Sequence, residues 1–118
     1  VLDLIERADL AEEATIALLG LAFKSNVDDL RGSPAIGIAR SVAERFPRAR
    51  VLAVEPHIDA LPPELADAGI VLAGVDEVPT ADLVVLLVDH DAFAELPARL
   101  RPDTVVVDTR GQWRRVAS

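Results

Sequence analysis

The segment "DLVVLLVD", residues 82 to 89, holds Leu83, Val84, Val85, Leu86, Leu87 and Val88 without one polar interruption. A strand with one wet face alternates apolar and polar residues, whereas a strand covered on both faces reads as a continuous aliphatic run. The same character marks "TIALLGLAF" (15 to 23), "RVLAVEP" (50 to 56), "IVLA" (70 to 73) and "TVVVDTR" (104 to 110). Between these runs the period changes. "GSPAIGIARSVAERF" repeats Ile36, Ala39, Val42 or Ala43, and Phe46 at helical spacing. Ser33 is placed to cap this helix, Pro34 suits its first position, and Pro47 ends it. "LPPELADAG" (61 to 69) predicts a short helix closed by Gly69, and "GVDEVPTA" a loop or a single helical turn. "DAFAELPARL" predicts a short helix broken by Pro97.

Strands that alternate with helices, each strand apolar on both faces, predict an α/β domain built on a parallel sheet. Right-handed crossovers then favour a doubly wound sheet of about five strands in three α/β/α layers. The order 3-2-1-4-5 is preferred and 2-1-3-4-5 is the alternative. The chain opens "VLDLIERADLAEEA", without Met and already in helical spacing. This reads as a leading N-terminal helix entered through a cut in a longer chain. The expectation is one domain over residues 1–118, excised from a larger protein, with 1–13 a leading helix from the preceding segment.

Composition narrows the function. A net charge of −8 argues against a nucleic-acid partner, which asks for a basic face. Aromatic residues are only Phe23, Phe46, Phe93 and Trp113, so the core is aliphatic. Without cysteine there is no disulfide, no thiolate metal site and no cysteine nucleophile, which suits a reducing cytoplasm. No apolar run approaches the roughly 20 residues that span a membrane, so no membrane partner is expected.

In doubly wound sheets ligands bind beyond the carboxyl ends of the strands, near the point where strand order reverses. For the preferred order that point lies between the first and fourth strands. The first strand delivers Phe23 and Lys24, with Arg31 further down the loop. The fourth delivers Asp89, His90 and Asp91, and the fifth Asp108 and Arg110, followed by Trp113, Arg114 and Arg115. Lys24, Arg31 and Arg110 can thus meet on one edge of an acidic protein, the footprint of a site for a phosphate or pyrophosphate. Each has a plainer alternative. Lys24 ends a strand in water, Arg31 pairs with Asp28 or Asp29, Phe23 and Trp113 belong to a core or interface, His90 orders a loop, and His57 is exposed. The glycine-rich turn G-x-G-x-x-G is missing, because Gly20 is followed by Leu, Ala, Phe and Lys. Side-chain cations must then replace backbone N–H groups as the anion's partners, and NAD is not held in the ordinary Rossmann manner.

"GLAFKSNVDDLRGSPA" resembles the segment that opens the C-terminal domain of the UDP-glucose/GDP-mannose dehydrogenase family. "LLVDHDAF" and "VVDTRGQWR" are similar to later signatures of its UDP-N-acetyl-D-mannosamine branch. The resemblance implies a Rossmann-like domain that closes over the UDP part of a UDP-sugar substrate. It implies that Phe23 and Lys24 lie against the substrate, that Arg110 contacts the nucleotide, and that Arg31 reaches the NAD cofactor held mainly by an absent N-terminal domain. It also implies a central domain that carries the catalytic cysteine and forms a homo-oligomer. Such a parent enzyme oxidises a primary sugar alcohol to a carboxylate in the cytoplasm, for polysaccharide biosynthesis. This chain holds no catalytic residue of that reaction, and no metal ligand is assigned. The alternative is a stand-alone, non-enzymatic nucleotide-binding or assembly module. A receiver-type signalling domain fits less well, since Phe23-Lys24 stands where paired acids would follow the first strand.

Overall fold

The computed structural model describes residues 2–7, 13–22, 30 and 32–109. Its five strands are β1 (Thr15–Leu19), β2 (Arg50–Val54), β3 (Val71–Ala73), β4 (Leu83–Leu86) and β5 (Val105–Asp108). All four pairings are parallel and the order is β3-β2-β1-β4-β5, the preferred order of the sequence reading. Leu19 stands level with Val54 on one side and Leu86 on the other, so β1, β2 and β4 finish at the same height.

The continuous apolar runs divide cleanly between two faces. Ile16, Leu18, Val51, Ala53, Leu83 and Val85 point to one side, where they meet Ile5, Ala35, Ala39, Val42 and Leu65. These partners lie on α1 (Leu2–Arg7), α2 (Pro34–Arg45) and α3 (Pro63–Ala66). Ala17, Leu19, Leu52, Val54, Val84 and Leu86 point to the other side and meet Val78, Ala81, Phe93 and Leu96. Each large aliphatic side chain taken fully out of water contributes about 1.5–3 kcal/mol, which is why strand interiors tolerate no polar residue on either face.

The second covering layer is made of 3-10 turns, at Val75–Thr80, Asp91–Phe93 and Leu96–Arg99. Pro79 and Pro97 lie within two of them. A proline has no N–H and its ring clashes with the preceding turn, so an α-helical ladder does not propagate there. The short helix expected over "DAFAELPARL" is therefore two separate 3-10 turns. On the opposite face α2 has no such interruption. The Ser33 hydroxyl accepts the Ala35 N–H at 3.2 Å, Pro34 opens the helix, and the chain leaves it at Phe46 before Pro47.

Several strands stop earlier than their apolar runs. Gly20 turns out of β1 with φ +95° while its N–H still bonds Val54 O at 2.8 Å. Beyond β4, the N–H groups of Leu87 and Val88 both turn onto Leu19 O, at 2.9 and 3.2 Å. The two segments then pass so closely that a Cβ on Gly20 would stand 2.5 Å from the Val88 Cβ. Glycine is required twice at this position, by its positive φ and by the approach of Val88. Gly20→Ala is expected to lower unfolding free energy by about 2–4 kcal/mol, combining a strained φ with a backbone displacement. The midpoint of urea unfolding measures it, and an unchanged midpoint contradicts this account of the corner.

Candidate functional site

The carboxyl edge of the sheet is the place where a doubly wound fold receives its ligand. The described residues show how that edge is tied together. β1 leads into Leu21 and Ala22, β2 into Glu55, β4 into His90, and β5 into Thr109. The Oε1 of Glu55 accepts the N–H groups of Leu21 and Ala22, each at 3.0 Å. The same oxygen lies 2.7 Å from Nε2 of His90. The Oε2 accepts the His57 N–H at 3.1 Å. The Glu55 and His90 side chains are both fully shielded from water. The His57 ring packs edge-on against His90, with centroids 4.7 Å apart, and Phe93 tilts against His90 from beyond it. The corner is closed from α2 as well, because the Ser33 hydroxyl donates to Ala22 O at 3.1 Å. At the far side Thr109 fastens to β4 through its N–H and its hydroxyl, both on Leu86 O.

Burial by itself pushes the Glu55 carboxyl up, since a dry carboxylate loses its hydration. The hydrogen bonds from His90, Leu21 and His57, with the charge interaction of His90, outweigh that and bring it below the usual glutamate range. At the amino edge Asp82 is also lowered, first by the Thr15 N–H and then by its hydrogen bond with Arg101, and burial opposes this only weakly. That carboxylate is half-exposed, with Thr15 N–H at 2.9 Å and Arg101 at 3.1 Å.

Glu55, His57 and His90 bring three potential metal-ligand atoms within 4.8 Å of one another. The Glu55 Oε1 and His90 Nε2 that would have to face a cation face each other instead, and Oε1 also carries two backbone N–H groups. The set is a closed hydrogen-bonded corner. A dinucleotide fits it no better. In a Rossmann turn the backbone N–H groups after the first strand face the pyrophosphate. Here both are taken by a buried carboxylate, which a phosphate of the same sign would have to displace. Leu21 and Ala22, the described residues just beyond β1, therefore offer no free N–H to an NAD pyrophosphate.

Phe23, Lys24, Arg31 and Arg110 lie outside the described residues, as do Asp28, Asp29, Trp113, Arg114 and Arg115. The structure describes their chain neighbours: Ala22 before Phe23, Leu30 and Gly32 around Arg31, and Thr109 before Arg110. Ser33 is a helix cap and His90 orders its loop, as read from sequence, and His57 is exposed. Glu55 was passed over. The available signal is an acid, set directly before Pro56, that closes an otherwise aliphatic strand.

A Rossmann-like sheet whose first corner is occupied by its own carboxylate belongs to the class of doubly wound α/β domains that lack the glycine-rich dinucleotide turn. Residues 17–115 match the UDP-glucose/GDP-mannose dehydrogenase family, UDP binding domain, and the chain belongs to that family. It is 50% identical over 105 residues to a UDP-N-acetyl-D-mannosamine dehydrogenase of Salmonella typhi, covering 88% of this chain and 24% of that protein. It is 45% identical over 115 residues to an NDP-N-acetyl-D-galactosaminuronic acid dehydrogenase of Ralstonia solanacearum, covering 96% and 26%. Among solved structures, the UDP-N-acetyl-mannosamine dehydrogenase of Staphylococcus aureus superposes with a TM-score of 0.68 at 27% identity, over 93% of this chain and 26% of that one. The chain thus spans about a quarter of the length of the relatives it matches. Among the described residues no helix is long and apolar enough to cross a membrane.

The lowered Glu55 gives acid stability a definite sign. The folded state holds this proton less readily than the unfolded state, so stability rises with pH through the glutamate range. The contribution is complete above the unfolded value of about 4.3 and is lost as pH falls through the depressed folded value. Urea midpoints measured from about pH 3 to pH 7 are expected to show Glu55→Gln less stable than the native chain near neutrality, with the two curves converging in acid. Asp82 contributes to both curves alike, and parallel curves would refute the assignment to Glu55.

Proposed function

We propose that this chain is the UDP-sugar-binding domain of an NAD-dependent dehydrogenase that oxidises a primary sugar alcohol to a carboxylate. The sugar nucleotide is of the UDP-N-acetyl-D-mannosamine type. The domain comprises residues 1–118, with 1–13 as a leading segment. NAD and the reactive cysteine belong to further domains of the parent protein, a homo-oligomer of the cytoplasm that serves polysaccharide biosynthesis. In this reading Phe23, Lys24 and Arg110 bind the substrate, and Arg31 reaches the cofactor.

The observation that carries the reading is the geometry of the carboxyl edge. Ala22 and Thr109, next in sequence to Phe23 and Arg110, follow β1 and β5, the two strands that flank β4. Adjacent strands run about 4.8 Å apart, so Leu19 and Asp108, the last ladder residues of β1 and β5 on either side of Leu86, stand about 10 Å apart, close to the span of a diphosphate with its attached sugar. The Leu21 and Ala22 N–H groups are spent on Glu55, so an anion at this edge is left to side-chain cations. An ammonium supplies a point charge and a guanidinium a planar fork, the two ways of neutralising phosphate oxygens. Substrate binding then brings this domain against the cofactor domain, excludes water and completes the site.

In the complete polypeptide, Lys24→Ala is expected to weaken UDP binding by about ten- to a hundredfold, the loss of one charge-assisted contact, while circular dichroism stays unchanged. Titration calorimetry with UDP decides it, and native affinity in the variant would remove Lys24 from the site. The present chain, which contains no cysteine, is expected to reduce no NAD with any UDP-sugar. Turnover by the purified chain would contradict the assignment of the chemistry to other domains.

A further inference from the structure

Ala22 is held on both sides of its own residue. Its N–H donates to Glu55 Oε1 at 3.0 Å, and its C=O accepts the Ser33 hydroxyl at 3.1 Å. Its predecessor Leu21 donates to the same carboxylate oxygen. Ala22 is also the last residue before Phe23 and Lys24. The bonds that fix it therefore set the direction in which the chain leaves β1. Glu55 arrives from β2 and His90 from β4, so the carboxylate is gripped from both strands that neighbour β1. A buried carboxylate is costly unless every oxygen is matched, and here three N–H groups and an imidazole match it. A buried charge kept in so complete a cage at the ligand edge does more than fill space. An apolar residue would pack there without it, but would leave the two turn N–H groups without a partner or open to a phosphate.

We propose that Glu55 and His90 are positioning residues of the nucleotide site: the carboxylate stands on the turn after β1 where a Rossmann turn receives phosphate, and His90 holds it there. The pair fixes Ala22, from which the chain continues to Phe23 and Lys24, and denies the Leu21 and Ala22 N–H groups to a dinucleotide. Discrimination follows from the same contact. A ligand that needs backbone N–H groups after β1 meets a fixed negative charge, while a ligand gripped by side-chain cations does not. The proposal rests on the UDP-binding reading and adds to it the residues that build the corner.

The test uses the complete polypeptide and three variants: Glu55→Gln, His90→Leu and His90→Gln. The Gln side chain presents an amide N–H at about the reach of imidazole Nε2, so it can still donate to Glu55 Oε1. Removing a partner that orients a ligand-binding group commonly costs about tenfold or more, so Glu55→Gln and His90→Leu are expected to weaken UDP by about tenfold, with His90→Gln within about twofold of native. Titrations run well below each variant's unfolding midpoint separate this from a loss of stability. In parallel, the Leu21 and Ala22 amide proton resonances are expected to shift upfield in Glu55→Gln as the anionic acceptor is lost. Should Glu55→Gln not fold, the two His90 variants carry the comparison. Native UDP affinity in His90→Leu, or equal losses in both His90 variants, would overturn the proposal while leaving the nucleotide reading intact. A native protein that binds no UDP would instead overturn the nucleotide reading, and the proposal with it.

Discussion

A single carboxylate decides how the binding edge of this domain is built. Glu55 is buried, ionised and surrounded by the groups that make its burial tolerable: two turn N–H groups from beyond β1, the N–H of His57 two residues on, and His90 from beyond β4. An unpaired charge in that position would be expelled or neutralised. Paired, it becomes a fixed point for three adjacent strand ends. Gly20 contributes the sharp exit and the room for Val88, and Ser33 links the corner to the first turn of α2. Without the carboxylate, the N–H groups of Leu21 and Ala22 would lose the acceptor they share in a region closed to water.

Because those donors are committed, the domain departs from dinucleotide-binding relatives of the same topology at the level of chemistry and not of fold. A Rossmann turn grips phosphate with backbone N–H groups and a helix N-terminus. A corner whose Leu21 and Ala22 donors are already committed offers phosphate neither of them, and in the proposed reading recognition passes to side-chain cations. That division suits a chain of net charge −8. The overall field repels anions at a distance, so affinity has to come from a few close, charge-assisted contacts.

The architecture was legible because its signals are local and redundant. Aliphatic runs such as Leu83–Leu86 are apolar on both faces, and right-handed crossovers between them reduced the strand order to two candidates, of which the preferred one is observed. The capping role of Ser33 was readable for a similar reason, since Pro34 stands next to it. Strand ends were not legible. Gly20 to Ala22, and Leu87 with Val88, are as apolar as the strands they follow, yet they bend out of the sheet because the core continues past its last ladder bond. Hydrophobicity reports burial, and a buried corner has the same composition as a buried strand. Glu55 was hidden by another cause. Its partners at Leu21, Ala22 and His90 lie more than thirty residues away in sequence, and an acid before a proline gives no local sign that it turns inward. The cations of the candidate site were visible as types and spacings, but their convergence depends on the chain beyond Ala22 and Thr109.

The two ends of the sheet use one chemical device in two environments. Asp82 at the amino edge accepts the Thr15 N–H at the start of β1, Glu55 at the carboxyl edge accepts the Leu21 and Ala22 N–H groups beyond its end, and each takes a basic side chain as a further partner. Asp82 and Arg101 are open to water, where Coulomb attraction is screened and the side chains stay adaptable. Glu55 and His90 are sealed, where the same attraction is stronger and any misalignment leaves a polar group stranded. Rigidity is therefore concentrated at the edge where a ligand arrives, and adaptability is left to the edge that only closes the fold.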